Sequence, residues 1–197
     1  MNLVSPFKDI VQFTKIRIQP SQINSDIRNN MKMNLKKKVE KKCNKNGFID
    51  EVYKIVDFED GIMPPENLSG DIIFNIKYQC RLCLPTENSI IIGNIKTINQ
   101  ELIIADNGPI FIFIPKENVD GEIWNIDDFV EKKSQKKLSI NSFVKIKILN
   151  KRINQNDHQI KSIGYLLGYA TDEEIKKYYG TIIDLDLEED EESNFII

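Results

Sequence analysis

The sequence predicts two domains of different class, an α+β unit followed by an all-β barrel. Three observations carry this reading. Residues 70–98 form two β-type runs interrupted only by Pro85-Thr86-Glu87-Asn88. Proline cannot donate to a sheet ladder and favours strand ends, so the interruption marks a short, stiff junction, and the boundary falls at Leu84/Pro85. Before it lies one long stretch with helical apolar spacing flanked by strands; after it lie five short strand-like runs.

Taken in order, residues 13–19 (FTKIRIQ) alternate as a strand closed by Pro20. Ser21 suits the N-cap of the following helix, in which Ile23, Ile27, Met31, Leu35, Val39 and Cys43 recur every four residues. That predicts one apolar stripe about six turns long, ended by Asn46-Gly47. Its other side carries Arg28, Lys32, Lys36, Lys37, Lys38, Lys41, Lys42 and Lys45. Residues 48–58 form a second strand, and the loop after it holds Gly61, Ile62, Met63, Pro64 and Pro65. The diproline forbids regular structure there. In residues 71–84, Ile76, Tyr78, Cys80 and Leu82 share one face and Lys77, Gln79 and Arg81 the other. A strand, helix, strand, loop, strand order predicts an antiparallel sheet packed on one helix.

Beyond the junction, residues 89–98, 101–106 and 110–115 are short strands, with a turn at Gly108-Pro109. Residues 116–140 read as a long polar connection holding the single tryptophan, Trp124. Residues 141–153 and 158–167 then form a hairpin about Asn154-Gln155-Asn156-Asp157. Five strands with the longest connection between the third and fourth suggest a Greek-key barrel of the OB type. Thr171-Asp172-Glu173-Glu174 matches a capping box, predicting a short helix over residues 172–179 that stops at Gly180. Residues 184–192 contain seven carboxylates and cannot bury themselves, so they are expected to stay flexible unless a basic partner orders them.

The 197 residues carry a formal net charge of −3. By count, residues 1–84 hold 14 basic and 10 acidic groups, residues 85–170 hold 11 and 10, and residues 171–197 hold 2 and 10. A mildly basic body therefore bears an acidic extension, and the excess is too small to establish nucleic-acid binding by itself. The apolar runs are too short to span a bilayer, and the N-terminus has no charged-then-apolar leader. Three cysteines, Cys43, Cys80 and Cys83, point to a reducing compartment.

Chemistry is sparse. Cys80-Arg81-Leu82-Cys83 has CxxC spacing, but structural zinc needs four ligands and only Cys43 and His158 remain, in distant elements. On a strand an offset of three also turns the two thiols to opposite faces. No nucleophile–base pair, carboxylate dyad or phosphate-cradling glycine loop has usable spacing, so neither independent catalysis nor a cofactor or metal is expected. Phe111 and Phe113 lie on one face of their strand and Ile110, Ile112 and Ile114 on the other. Lys145, Lys147, Lys151 and Arg152 follow on the hairpin. Aromatics beside cations on a barrel face hold single strands by stacking and phosphate attraction; core packing of the phenylalanines is the competing reading.

Five segments in order carry a resemblance: residues 35–52 (LKKKVEKKCNKNGFIDEV), 61–65 (GIMPP), 74–85 (FNIKYQCRLCLP), 105–115 (ADNGPIFIFIP) and 144–168 (VKIKILNKRINQNDHQIKSIGYLLG). The chain resembles the stalk subunit of multisubunit DNA-directed RNA polymerases, a family shared by the archaeal enzyme and, as its seventh subunit, the eukaryotic one, from about residue 13 to 168. The resemblance implies a truncated RNP-like N-terminal domain over residues 1–84 with a core-docking tip loop, an S1-type OB fold over 85–170, and a short helix and acidic tail over 171–197. It implies a non-catalytic subunit that docks near the polymerase clamp through Gly61, Ile62, Met63, Pro64 and Pro65 and sets the barrel near emerging RNA. Implied partners are the large polymerase subunits, a small stalk partner and nascent single-stranded RNA, with no membrane. The implied location is intracellular, in the nucleus, or in virion and host cytoplasm for a large DNA virus. Family members often carry glycine and aromatics in the second barrel strand, where this chain has Leu102-Ile103-Ile104, and the acidic tail lies beyond the usual end. A free-standing S1-type RNA-binding factor is the alternative, and the 61–65 loop separates the two, since a free RNA binder does not need it.

Overall fold

A computed structural model describes residues 3–65 and 69–180. The expectations for the acidic tail, residues 181–197, lie outside the described residues. The chain is mostly β and divides into two units that are interleaved in sequence. One comprises Phe7–Leu84 with Ile153–Gln159, the other Met1–Pro6, Pro85–Arg152 and Ile160–Ile197.

The first unit is an antiparallel four-stranded sheet in the order β1-β4-β3-β2. Its strands are β1 (Phe7–Ile18), β2 (Lys42–Asn44), β3 (Gly47–Phe58) and β4 (Ile72–Cys83). Helix α1 (Ile27–Val39) covers one face, burying Met31 and Leu35 against Ile16, Ile18, Ile49, Val52, Phe74, Ile76 and Tyr78. Strand β1 begins at Phe7, six residues earlier than expected, and pairs with β4 along its whole length.

The predicted six-turn helix is wrong at both ends. Residues 20–22 form a 3-10 turn instead of a cap at Ser21, and Asp26 occupies the N-cap. At the other end Glu40 is extended and Lys41 has φ 57°, which stops the helix. Cys43, placed on the helix stripe by periodicity, instead enters β2 opposite Phe48, and Gly47 opens β3 instead of capping a helix. A four-residue apolar recurrence cannot separate a helix from a helix followed by a short buried strand.

The second unit closes five strands into a barrel, β10-β11-β7-β6-β5. These are β5 (Ile90–Ile98), β6 (Leu102–Asn107), β7 (Ile110–Pro115), β10 (Phe143–Arg152) and β11 (Ile160–Tyr169). Its interior is nearly all β-branched, including Ile91, Ile103, Ile112, Ile146 and Ile148. Gly164 makes room for that filling: a Cβ there would lie 2.5 Å from Ile146 Cγ2 and 2.7 Å from Ile112 Cγ2. The parallel β7–β11 pair, Ile110↔Ile160 to Phe113↔Ile163, closes the Greek key.

The connection at residues 116–140 is not merely polar. It folds as a 3-10 turn and a small hairpin, β8 (Trp124–Asn125) and β9 (Val130–Glu131), with Trp124, Phe129 and Leu138 buried. Trp124 packs its ring 5.2 Å from Tyr169. Isolated large apolar residues in a polar run carry no period, so local pattern does not reveal that they are anchored. Helix α2 covers residues 172–180, with the capping box made: Thr171 N–H donates to Glu174 Oε2 (2.8 Å) and Glu174 N–H to Thr171 Oγ1 (3.2 Å). Among the described residues no helix is long and apolar enough to cross a membrane.

Candidate functional site

Two surfaces carry the candidate residues, one in each unit. In the first, the chain leaves β3 at Phe58 and stays tied to β4. Glu59 N–H donates to the Asn75 carbonyl (3.0 Å), and Asn75 Nδ2 donates to Glu59 Oε2 (2.5 Å). Ile62 and Ile73 then exchange both backbone hydrogen bonds at 2.9 Å, an isolated antiparallel bridge. Gly61 lies directly on β4, where a Cβ would stand 2.4 Å from Ile72 Cγ2 and 2.6 Å from Phe74 Cζ. The Phe74 ring is held edge-on by Phe58 at 6.3 Å, and the Arg28 guanidinium sits 5.5 Å above Phe58.

The loop backbone is thus fixed while its apolar side chains face out. Ile62 is 64% exposed and Met63 55%; Pro64 is half-buried and Pro65 exposed. Water normally meets polar residues in such a loop, so two adjacent exposed apolar residues on a pinned backbone form a candidate contact.

On the barrel, β7 buries Ile110, Ile112 and Ile114 and leaves Phe111 and Phe113 half-exposed on the outer face. The competing reading, phenylalanines as core, is therefore set aside. Phe113 lines a groove of about 310 Å³ with Asn150, Lys151, Arg152, Lys161 and Ile163. Phe111 stands opposite Lys161, which in turn pairs with Arg152. Lys147 lies further along β10, opposite Tyr165. Two candidates are engaged elsewhere: Lys145 Nζ donates to Glu174 Oε1 (3.1 Å) and Lys151 Nζ to the Pro85 carbonyl (2.7 Å). The hydrogen bond from Thr171 N–H and the nearby Lys145 ammonium hold the Glu174 carboxyl below its usual range.

The structure thus gathers Phe113, Lys151 and Arg152 at one groove, with Phe111 beside it, and places Lys145 against α2. Sequence reasoning missed Lys161 and Ile163, which β11 brings next to the aromatics. Only the order of strands in the closed barrel reveals that neighbour. Leu102 and Ile104 lie on the outer face of β6, Ile104 opposite Phe113, while Ile103 is core.

The remaining candidates are the three cysteines and His158. Cys43, Cys80 and Cys83 are all buried free thiols. Burial pushes Cys43 and Cys80 up to about 11 and Cys83 higher still, which keeps them protonated and poorly nucleophilic. No group of three or more metal-ligating side chains occurs among the described residues. His158 donates from Nδ1 to the Lys41 carbonyl at 2.9 Å.

No family model matches the chain. It is 32% identical over 166 residues to a candidate DNA-directed RNA polymerase subunit, L376, of Acanthamoeba polyphaga mimivirus, covering 83% of each chain. It is 23% identical over 156 residues to DNA-directed RNA polymerase II subunit RPB7 of Glycine max, covering 77% of this chain and 88% of that one.

Proposed function

The chain belongs to the RPB7-like family of DNA-directed RNA polymerase subunits, and from that premise we propose that it is a non-catalytic stalk subunit anchored to the polymerase core by Gly61, Ile62, Met63, Pro64 and Pro65. The observation that carries this is the exposed Ile62–Met63 pair on a loop whose backbone is bonded to β4. A rigid loop loses little conformational entropy on docking, and burying an isoleucine and a methionine contributes roughly 1.5–3 kcal/mol each.

In the same reading, residues 1–84 are a truncated RNP-like domain, supported by the four-stranded sheet with α1 on one face. Residues 85–170 are an S1-type member of the OB class, supported by the five-stranded closure. Residues 171–197 are an appended helix and acidic tail. The barrel stands near the RNA exit path, where Phe111, Phe113, Lys147, Lys151 and Arg152 meet nascent RNA, joined by Lys161 of β11. Lys145 is better assigned to holding α2. The large polymerase subunits are the principal partners and a small stalk subunit a further one, inside the cell or virion.

The test is co-purification. Changing Ile62 and Met63 together to aspartate should abolish association with the large subunits while circular dichroism stays native, because both side chains are exposed. Wild-type recovery of the folded double variant on the core would overturn the anchoring role.

A further inference from the structure

We propose that a cavity in the first unit, lined by the buried amide of Gln12, is a binding site for a phosphate group. The chain leaves α1 at Glu40, and a cavity of about 280 Å³ lies between the helix end, β1 and the β2–β3 turn. Gln12, Thr14, Lys38, Lys42, Asn44 and Lys45 line it, and no carboxylate does.

Gln12 is 6% exposed, and its amide cannot be turned round. Asn46 N–H (2.8 Å) and Gly47 N–H (3.1 Å) both donate to Asn44 Oδ1, which leaves Asn44 Nδ2 to donate to Gln12 Oε1 (2.7 Å). The Tyr78 hydroxyl donates to the same oxygen (3.2 Å). Gln12 Nε2 is therefore fixed on the other branch of the amide, buried and without a partner among the described residues. Buried N–H groups are nearly always paired, and an unmade bond there is costly. Both amide oxygens of this network are already taken while the N–H groups of Gln12 are not, so the site suits an acceptor.

The surrounding charge selects an anion. Lys36 and Lys41 are paired with Glu40 and Asp50. Lys42 Nζ donates to the Lys37 and Lys38 carbonyls (3.0 and 3.4 Å), covering the negative end of α1 that would otherwise repel an anion. Lys38 Nζ donates to the Lys15 carbonyl, which leaves its charge unneutralised. Lys45 is exposed, and no described carboxylate pairs with it. Lysine binds phosphate as a point charge. A terminal phosphate brings three strong acceptor oxygens, one each for Gln12, Lys38 and Lys45, where a carboxylate has only two. The volume, near the lower end of small-molecule sites at about 300 Å³, fits inorganic phosphate or the phosphate end of a mononucleotide.

The side-chain amide resonances of Gln12, followed in the isotope-labelled full chain, read the site directly. Inorganic phosphate added at constant ionic strength should shift them saturably, and acetate should not. Lys45→Glu, at an exposed position, should weaken phosphate binding about tenfold with the fold unchanged. Gln12→Glu sets a carboxylate among the lysines and should abolish the response, read at the Lys45 and Asn46 backbone amides. Uridine monophosphate binding more tightly than inorganic phosphate would assign the site to a nucleotide, and equal affinity to free phosphate. No saturable shift, an equal response to acetate, or a response only to oligouridylate without a terminal phosphate overturns the proposal. Core association is not read in this experiment, so such a failure leaves the stalk reading untouched.

Discussion

Gly61→Ala is the sharpest probe of how the tip loop is held. The methyl would enter a space already filled: 2.4 Å from Ile72 Cγ2, 2.6 Å from Phe74 Cζ and 2.8 Å from Phe74 Cε1. Ordinary van der Waals contact begins near 3.4 Å, so all three atoms are overlapped, Ile72 Cγ2 the most at 2.4 Å. Neither neighbour yields easily. Ile72 is β-branched and stiff, and the Phe74 ring is 7% exposed and braced by Phe58. Relief requires either displacing the ring or lifting the loop off β4, which breaks the paired Ile62–Ile73 hydrogen bonds. Overpacking of this kind costs about 1–3 kcal/mol. For a unit of this size that corresponds to a fall of roughly 4–8 °C in melting temperature per kcal/mol. Calorimetry of the full chain should show the first unit's transition lowered by that amount and the barrel's unchanged. Amide exchange at Ile62 and Ile73 should speed up, and core association should weaken although no contacting side chain has changed. Wild-type melting with unchanged exchange at those two amides would refute the claim that β4 pins the loop.

Two further outcomes follow from the barrel and its appended helix. Phe113→Ala removes a half-exposed ring, so the barrel should keep its thermal midpoint within a few degrees while affinity for single-stranded RNA falls by about 1–3 kcal/mol, measured by fluorescence anisotropy; unchanged affinity would remove the ring from the contact. Thr171→Ala deletes half of the capping box and should destabilise α2 by about 0.5–2 kcal/mol, read as lost helical ellipticity. The Glu174 carboxyl is lowered chiefly by the Thr171 backbone bond. Its contribution is therefore present above the ordinary carboxylate pKa and lost as pH falls through the folded value. Helicity in wild type should decline over that acidic range, and Glu174→Gln should flatten the decline.

Much of the architecture was legible because it is local. Alternation in residues 71–84 separates Ile76, Tyr78, Cys80 and Leu82 from Lys77, Gln79 and Arg81, since a strand's period of two forces the split, but it does not reveal that Arg81 on the second face is buried as well. The capping box at Thr171 and Glu174 is equally self-contained, and five ordered segments suffice to place the chain among polymerase subunits. What failed was non-local. Periodicity carried the helix through Cys43 because nothing in residues 40–47 announces that β3 offers Cys43 a strand partner. Trp124 gave no pattern, because its burial comes from Tyr169, far along the chain on β11.

The candidate site divides the same way. Sequence alternation shows that Phe111 and Phe113 oppose Ile110, Ile112 and Ile114, but not which set faces inward. Barrel closure decides that, because the isoleucines meet Gly164 and the small interior. The cations in the sequence suggest a charged face; only tertiary pairing diverts Lys145 to Glu174 and brings Lys161 beside Phe111. Spacing along the chain thus indicated most of the elements, and the resemblance of five ordered segments the family, since both are read from residues adjacent along the chain. The make-up of the candidate face was decided by strand order, since a surface is made of neighbours that the chain itself keeps far apart.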